Sequence, residues 1–217
     1  MKTKEKITAF GETAYKLNIA DDGLDIPEAW IQSVIQVFDD PRTQDNVDCA
    51  RDLDVTAKGH CYSTFGVPVM SFFSLPGTDK ILTWVKQQIV DVAPELGFDN
   101  VKSAELTIDW MNIMTKGAFA NVHTHYDEGE DGAPRKLVAI LYLQAPENSS
   151  KLIVVDNRKD YSGQARGESI TDIPVDQQFE ISVTTGDLLI HKVAVPHGVS
   201  EHFNDTPRLC LVMEFQL

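Results

Sequence analysis

The chain has 217 residues, 42% of them hydrophobic and 24% charged, with a formal net charge of −14. That length and apolar content suit a single domain with a real core. An acidic surface repels phosphate backbones, which argues against nucleic acid as a partner, and no apolar run reaches the ~20 residues that a membrane helix needs.

The first residues, MKTKEKITAF, lack an apolar stretch behind their basic ones, so no secretory signal is expected. Cys49, Cys61 and Cys210 are odd in number and widely spaced, which argues against a disulfide framework; without a CxxC, structural zinc is not expected either. A cytoplasmic location follows as the expectation. Pro27 to Phe38 has apolar residues at helical spacing, with Pro27 suited to a first turn and Asp25 to a cap. Asp39 to Leu75 is rich in Asp, Gly, Ser and Pro and reads as loop, with one short strand around Val67 to Phe73. Thr78 to Leu96 predicts a second helix with an apolar stripe through Ile81, Trp84, Val85, Ile89 and Val92, stopped by Gly97.

From about Ala104 the apolar period changes to two. Glu105 to Met114 alternates as a strand does, and Phe119 to His125 predicts the next. Lys136 to Gln144 is almost continuously apolar, as suits a strand buried on both faces. Lys151 to Val155, Phe179 to Val183, Asp187 to Ile190 and Leu209 to Phe215 complete the set, with turns at Pro146-Glu147-Asn148, Thr185-Gly186 and Asn204 to Pro207. Many short strands without intervening helices predict a sandwich or barrel. The expectation is one domain over 1–217, with 1–103 a helical and loop support and 104–217 the strand-rich core.

Six histidines occur, and two of them share a strand: His123 and His125, with Asp127 two residues further on. Positions i and i+2 of a strand point to one face, about 6.5 Å apart, and can converge on one ion. The strand therefore offers His123 with His125, or His125 with Asp127. A third ligand is best sought in Val195-Pro196-His197-Gly198-Val199, which a folded-back sheet would bring alongside. Imidazole and carboxylate ligands with open positions suit non-haem iron(II). Arg208, just before an apolar strand, would point inward and need an anionic partner; its planar fork fits a carboxylate.

Other candidates are weaker. His191 ends a strand and could line the site. His60-Cys61 has no second metal pair, His202 lies in a polar turn and reads as solvated, and Arg158 fits either an anionic substrate or a strand end. The acidic run from Asp127 to Gly132 lacks the ligand spacing of a calcium loop. It reads as a solvated loop near the site.

Taken in order, these motifs resemble the 2-oxoglutarate/Fe(II) oxygenases of a bacterial and phage branch related to prolyl 4-hydroxylases. The resemblance is carried by Trp110 to Ile113, Lys116-Gly117, His123-Thr124-His125, Leu141 to Asn148, Lys151 to Ile153, Asp156 to Arg158, Gly186 to Ile190, Pro196 to Val199 and Pro207-Arg208. It implies a double-stranded β-helix, or jelly roll, with iron(II) between its sheets. It also implies decarboxylation of 2-oxoglutarate to succinate coupled to hydroxylation of a substrate C–H by dioxygen. By position, His197 is the distal iron ligand, Arg208 grips the far carboxylate of 2-oxoglutarate, and Tyr142 adds to that grip. The prolyl-hydroxylase pattern His-x-Asp selects His125 and Asp127, whereas the bacterial pattern His-x-His selects His123 and His125. The expected ligand set is His125, Asp127 and His197, with His123 as the alternative to Asp127. Glu128 to Pro134 is the expected lid. The substrate would be a small molecule or a peptidyl residue, and a homodimer is the expected assembly. The rival readings are a cupin-type metalloenzyme without 2-oxoglutarate, using His123, His125 and His197, and a catalytically silent jelly roll that binds a ligand or partner.

Overall fold

The computed structural model describes residues 4–40, 61–66, 69–125, 135–156, 170 and 173–217. Eleven strands in these residues form two antiparallel sheets, a jelly roll with helices on its outer face. The larger sheet runs β1 (Glu5–Ala9), β2 (Glu12–Asn18), β9 (Asp187–Lys192), β6 (Lys136–Gln144), β11 (Arg208–Gln216), β4 (Glu105–Met114), β3 (Cys61–Ser63). The smaller runs β5 (Ala120–His123), β10 (His197–Val199), β7 (Leu152–Val155), β8 (Gln178–Ile181).

Strand alternation sorts the side chains into two layers. On β6, Leu137, Ala139, Leu141 and Leu143 face α1 (Glu28–Val37) and α2 (Asp79–Val92), packing with Trp30, Val34, Ile81, Val85 and Ile89. Val138, Ile140 and Tyr142 face the smaller sheet and meet Leu152, Val154 and Val199. Both sides of β6 are therefore buried, as its unbroken apolar run predicts. Each large aliphatic side chain so buried contributes about 1.5–3 kcal/mol.

Several expectations are corrected. The N-terminal region is not only helix and loop: Glu5–Ala9 and Glu12–Asn18 form a hairpin that extends the larger sheet through β2 and β9. Its turn uses Phe10 and Gly11, both at positive φ (55° and 87°), as a two-residue hairpin of right-handed strands prefers. No strand occupies the described part of Val67 to Phe73; Phe72–Ser74 is a 3-10 turn whose start is capped by the Ser71 hydroxyl, accepting from Phe73 N–H. Asp25 does not cap α1, which begins at Glu28 behind Pro27 without a side-chain cap. α2 ends at Val92 and runs on as a 3-10 turn to Leu96, with Gly97 in the left-handed conformation (φ 89°) that the stop signal requires. Cys61 is disulfide-bonded, against the expectation for the cysteines, while Cys210 is a free buried thiol. No helix among the described residues is long and apolar enough to cross a membrane.

Candidate metal centre

Antiparallel pairing of β5 with β10 sets His197 directly opposite His123. His125 follows two residues beyond, its backbone N–H donating to Val193 O at 2.9 Å. The ligand atoms of His123, His125 and His197 all lie within 4.8 Å of one another. The His123 and His197 rings are 4.5 Å apart between centroids, and those of His125 and His197 are 5.2 Å apart and nearly parallel.

Each imidazole is oriented through Nδ1. His123 Nδ1–H donates to Asn121 O and His197 Nδ1–H to Val195 O, both at 2.9 Å. His125 Nδ1–H donates to the Glu214 carboxylate at 3.0 Å, and the Trp110 ring stacks on its face at 5.4 Å. With Nδ1 protonated in all three, Nε2 carries the free lone pair that a metal takes. Burial, reinforced by the neighbouring histidines, holds His197 well below the ordinary histidine range, so it stays a neutral ligand. Asp127, Arg158, His60 and the segment Glu128 to Pro134 lie outside the described residues.

Gly198 keeps this pairing close. A Cβ there would sit 2.8 Å from Ala120 O and 3.2 Å from Ile170 Cδ1. Gly198→Ala should force β10 away from β5, cost about 1–3 kcal/mol and pull His197 from His123. A thermal melt and an anaerobic iron(II) titration would check both effects; an unchanged iron affinity would refute the coupling.

His191 stands beside the trio, its ring 4.8 Å from that of His197. Its Nδ1–H donates to Lys192 O, and its buried Nε2 has no partner among the described residues. Burial pushes its pKa down to about 4. The unfolded chain therefore binds more protons than the native one between about pH 6.5 and 4, and stability falls as pH falls through that window. For His191 alone the loss at pH 5 is about 2 kcal/mol. Urea midpoints of the metal-free protein at pH 7 and 5 should show it, and His191→Phe should flatten the difference.

His202 does not lie in solvent as expected. It is fully buried: Nδ1 accepts from Ser150 N–H at 3.3 Å and Nε2–H donates to Thr206 O at 2.9 Å. It ties two loops together, a tertiary role that its polar neighbours in sequence concealed.

Inward from the three histidines, β11 points Arg208, Cys210, Val212 and Glu214 between the sheets. Val138 lies opposite both Glu214 and His191, so one transverse row marks the level of the histidines. Tyr142, paired with Cys210, lies four residues further along β6, about 13 Å at strand spacing. There the Arg208 guanidinium lies over the Tyr142 ring, 4.7 Å from its centroid, and is 2% exposed. Its Nη1 donates to the Met114 sulfur at 3.1 Å, its Nε is unpartnered, and it makes no ion pair among the described residues. The Tyr142 hydroxyl is also buried and unpartnered, and burial raises its pKa to about 12.

Residues 109–214 match the family model described as "Putative 2OG-Fe(II) oxygenase". That segment, just under half of the chain, is similar to the 2OG-Fe(II) oxygenases. Members are oxidoreductases that use iron(II) and 2-oxoglutarate; three converging imidazoles fit the first, and a buried cation between the same sheets, without an ion pair among the described residues, fits the second. No curated protein matches the sequence. Solved structures of similar fold include a prolyl-4-hydroxylase from Pseudomonas putida, with 15% identity, 94% of this chain and 91% of that chain covered and a TM-score of 0.50. EvdO2 from Micromonospora carbonacea var. aurantiaca, complexed with 2-oxoglutarate, has 15% identity, coverage of 99% and 93% and a TM-score of 0.52. SnoK, an alpha-ketoglutarate-dependent carbocyclase from nogalamycin biosynthesis, has 10% identity, coverage of 94% and 79% and a TM-score of 0.58. At these identities the likeness is one of fold.

The structure brings His123, His125 and His197 to one point and sets Arg208 against Tyr142. Trp110 and Glu214, which hold His125, were not read from the sequence as site residues. The available signal was a second charged residue on the inward face of β11, at an even spacing from Arg208.

Proposed function

We propose that the protein is an iron(II)- and 2-oxoglutarate-dependent dioxygenase that hydroxylates a small-molecule or peptidyl substrate. In this reading His123, His125 and His197 hold the metal through Nε2, and Arg208 and Tyr142 hold the far carboxylate of 2-oxoglutarate. Bound iron(II) and 2-oxoglutarate supply oxygen activation coupled to decarboxylation to succinate. The observation that carries the reading is the buried Arg208 without a counter-charge among the described residues, beside a Tyr142 hydroxyl that has no partner among them. An uncompensated buried cation costs several kcal/mol, and an anion that docks there offsets it.

The chain's own groups have separate tasks. Arg208 offers a planar fork and a fixed charge, so a carboxylate is held in one orientation. Tyr142 keeps its proton at neutral pH and can donate it as a hydrogen bond to the same carboxylate. The apolar walls, Val138, Ile140, Leu189 and Val212, keep water from the space between the sheets. The three Nδ1 bonds fix the rings before the metal arrives.

The three-histidine grouping by itself would also serve a cupin-type metalloenzyme without 2-oxoglutarate. Arg208 distinguishes the two. Anaerobic addition of iron(II) and then 2-oxoglutarate should produce the visible charge-transfer band of the chelate. Succinate should then form slowly in air without substrate. A metal-loaded protein that gives neither band nor succinate would leave the cupin-type reading in place.

A further inference from the structure

His123 and His197 share a local device: each Nδ1–H donates to the carbonyl two residues earlier in the chain. His125 does not. It reaches 89 residues along the chain to Glu214, at the end of β11. Both side chains are largely withdrawn from water, 6% exposed for His125 and 15% for Glu214. Trp110 covers the His125 ring from another side. A carboxylate so withdrawn from water carries a desolvation cost that a surface glutamate avoids.

Three neutral imidazoles give iron(II) no anionic protein ligand, whereas two histidines and a carboxylate give it one negative charge. We infer that Glu214 is a positioning residue that supplies this missing charge indirectly, through the Nδ1–H of His125. The inference rests on the three-histidine ligand set proposed above. A carboxylate on Nδ1–H makes Nε2 a stronger donor and favours the higher oxidation state of the metal. It also fixes the tautomer and angle of the ligand whose Nδ1–H bonds to a side chain rather than to a neighbouring carbonyl. Glu214 thus lies one hydrogen bond from a ligand, and the charge belongs to the site without occupying a coordination position.

Glu214→Gln separates the charge from the hydrogen bond, because the amide oxygen can still accept from Nδ1–H. In anaerobic titrations, Glu214→Gln should bind iron(II) about 10- to 100-fold more weakly than the wild type, the range typical of an outer partner. The iron(III)/iron(II) potential of the loaded protein should rise. A merely structural glutamate would leave the potential unmoved. A second measurement needs no variant. In the zinc(II)-loaded wild type, one ligand Nδ1–H proton should resonate well downfield of the other two, as a bond to carboxylate rather than carbonyl demands. Wild-type affinity and potential in Glu214→Gln, or three equivalent Nδ1–H resonances, would overturn the inference. Asp127→Ala serves as the control for the ligand set. If it abolishes iron binding, the three-histidine reading has failed; if it binds normally while Glu214→Gln is indistinguishable from wild type, only the role of Glu214 has.

Discussion

Arg208→Met should lose 2-oxoglutarate and at the same time raise the melting temperature of the cofactor-free protein. The two effects have one cause. The guanidinium is buried, stacked on Tyr142 and bonded to a thioether, a weak acceptor, with no carboxylate beside it among the described residues. Methionine has a similar reach and no charge to desolvate. Replacing a buried charge with a packed apolar side chain is often stabilising, by about 1–4 kcal/mol, and in a chain of this size each kcal/mol is worth about 2–4 °C. Binding moves the opposite way. Truncating one partner of a buried charge pair costs about 2–5 kcal/mol, which is roughly 30- to 4,000-fold in affinity. Calorimetry with manganese(II) in place of iron, together with melts with and without 2-oxoglutarate, would measure both. Arg208→Lys should keep some affinity, since it keeps the charge and loses the fork. A methionine variant that binds 2-oxoglutarate within a few-fold of wild type would remove Arg208 from the site.

The second large effect concerns the metal. His123→Ala and His197→Ala should each weaken iron(II) binding by more than the roughly 10- to 100-fold cost of losing an outer partner. Asp127→Ala should bind within a few-fold of wild type. The expectation follows from the pairing of His123 with His197 and from the 4.8 Å limit that encloses the three ligand atoms. An anaerobic titration of the three variants decides the matter. Full binding by His123→Ala with loss in Asp127→Ala would restore the set of His125, Asp127 and His197 that the prolyl-hydroxylase pattern favours.

The sequence was most legible where burial is heaviest. β6 has the bounds that its pattern predicts, because a strand packed on both faces leaves a long apolar run, and β4 has the bounds that its alternation predicts. The hairpin of β1 and β2 was illegible for the opposite reason. It ends the larger sheet, and Ala9 and Ala14 take inward positions where a larger side chain would have marked the period. The histidine pair and His197 could be read from strand spacing, and Arg208 from the apolar strand it opens. Glu214 could not, since its significance comes from a contact 89 residues away. His202 failed similarly: its burial is made by the Ser150 loop, not by its own neighbours.

The pairing of His123 with His197 also makes the metal part of a sheet. The smaller sheet is built of strands of only three or four residues, and its edge strand β5 and the neighbouring β10 hold two of the three histidines at facing positions. A metal bound there would act as a rung of that ladder, stitching side chains where the backbone offers few hydrogen bonds. Chelation should therefore hasten amide exchange in β5, β7, β8 and β10, and leave β4, β6 and β11 slow. The protein would then report its metal content through the breathing of one sheet, with the other as its internal clock.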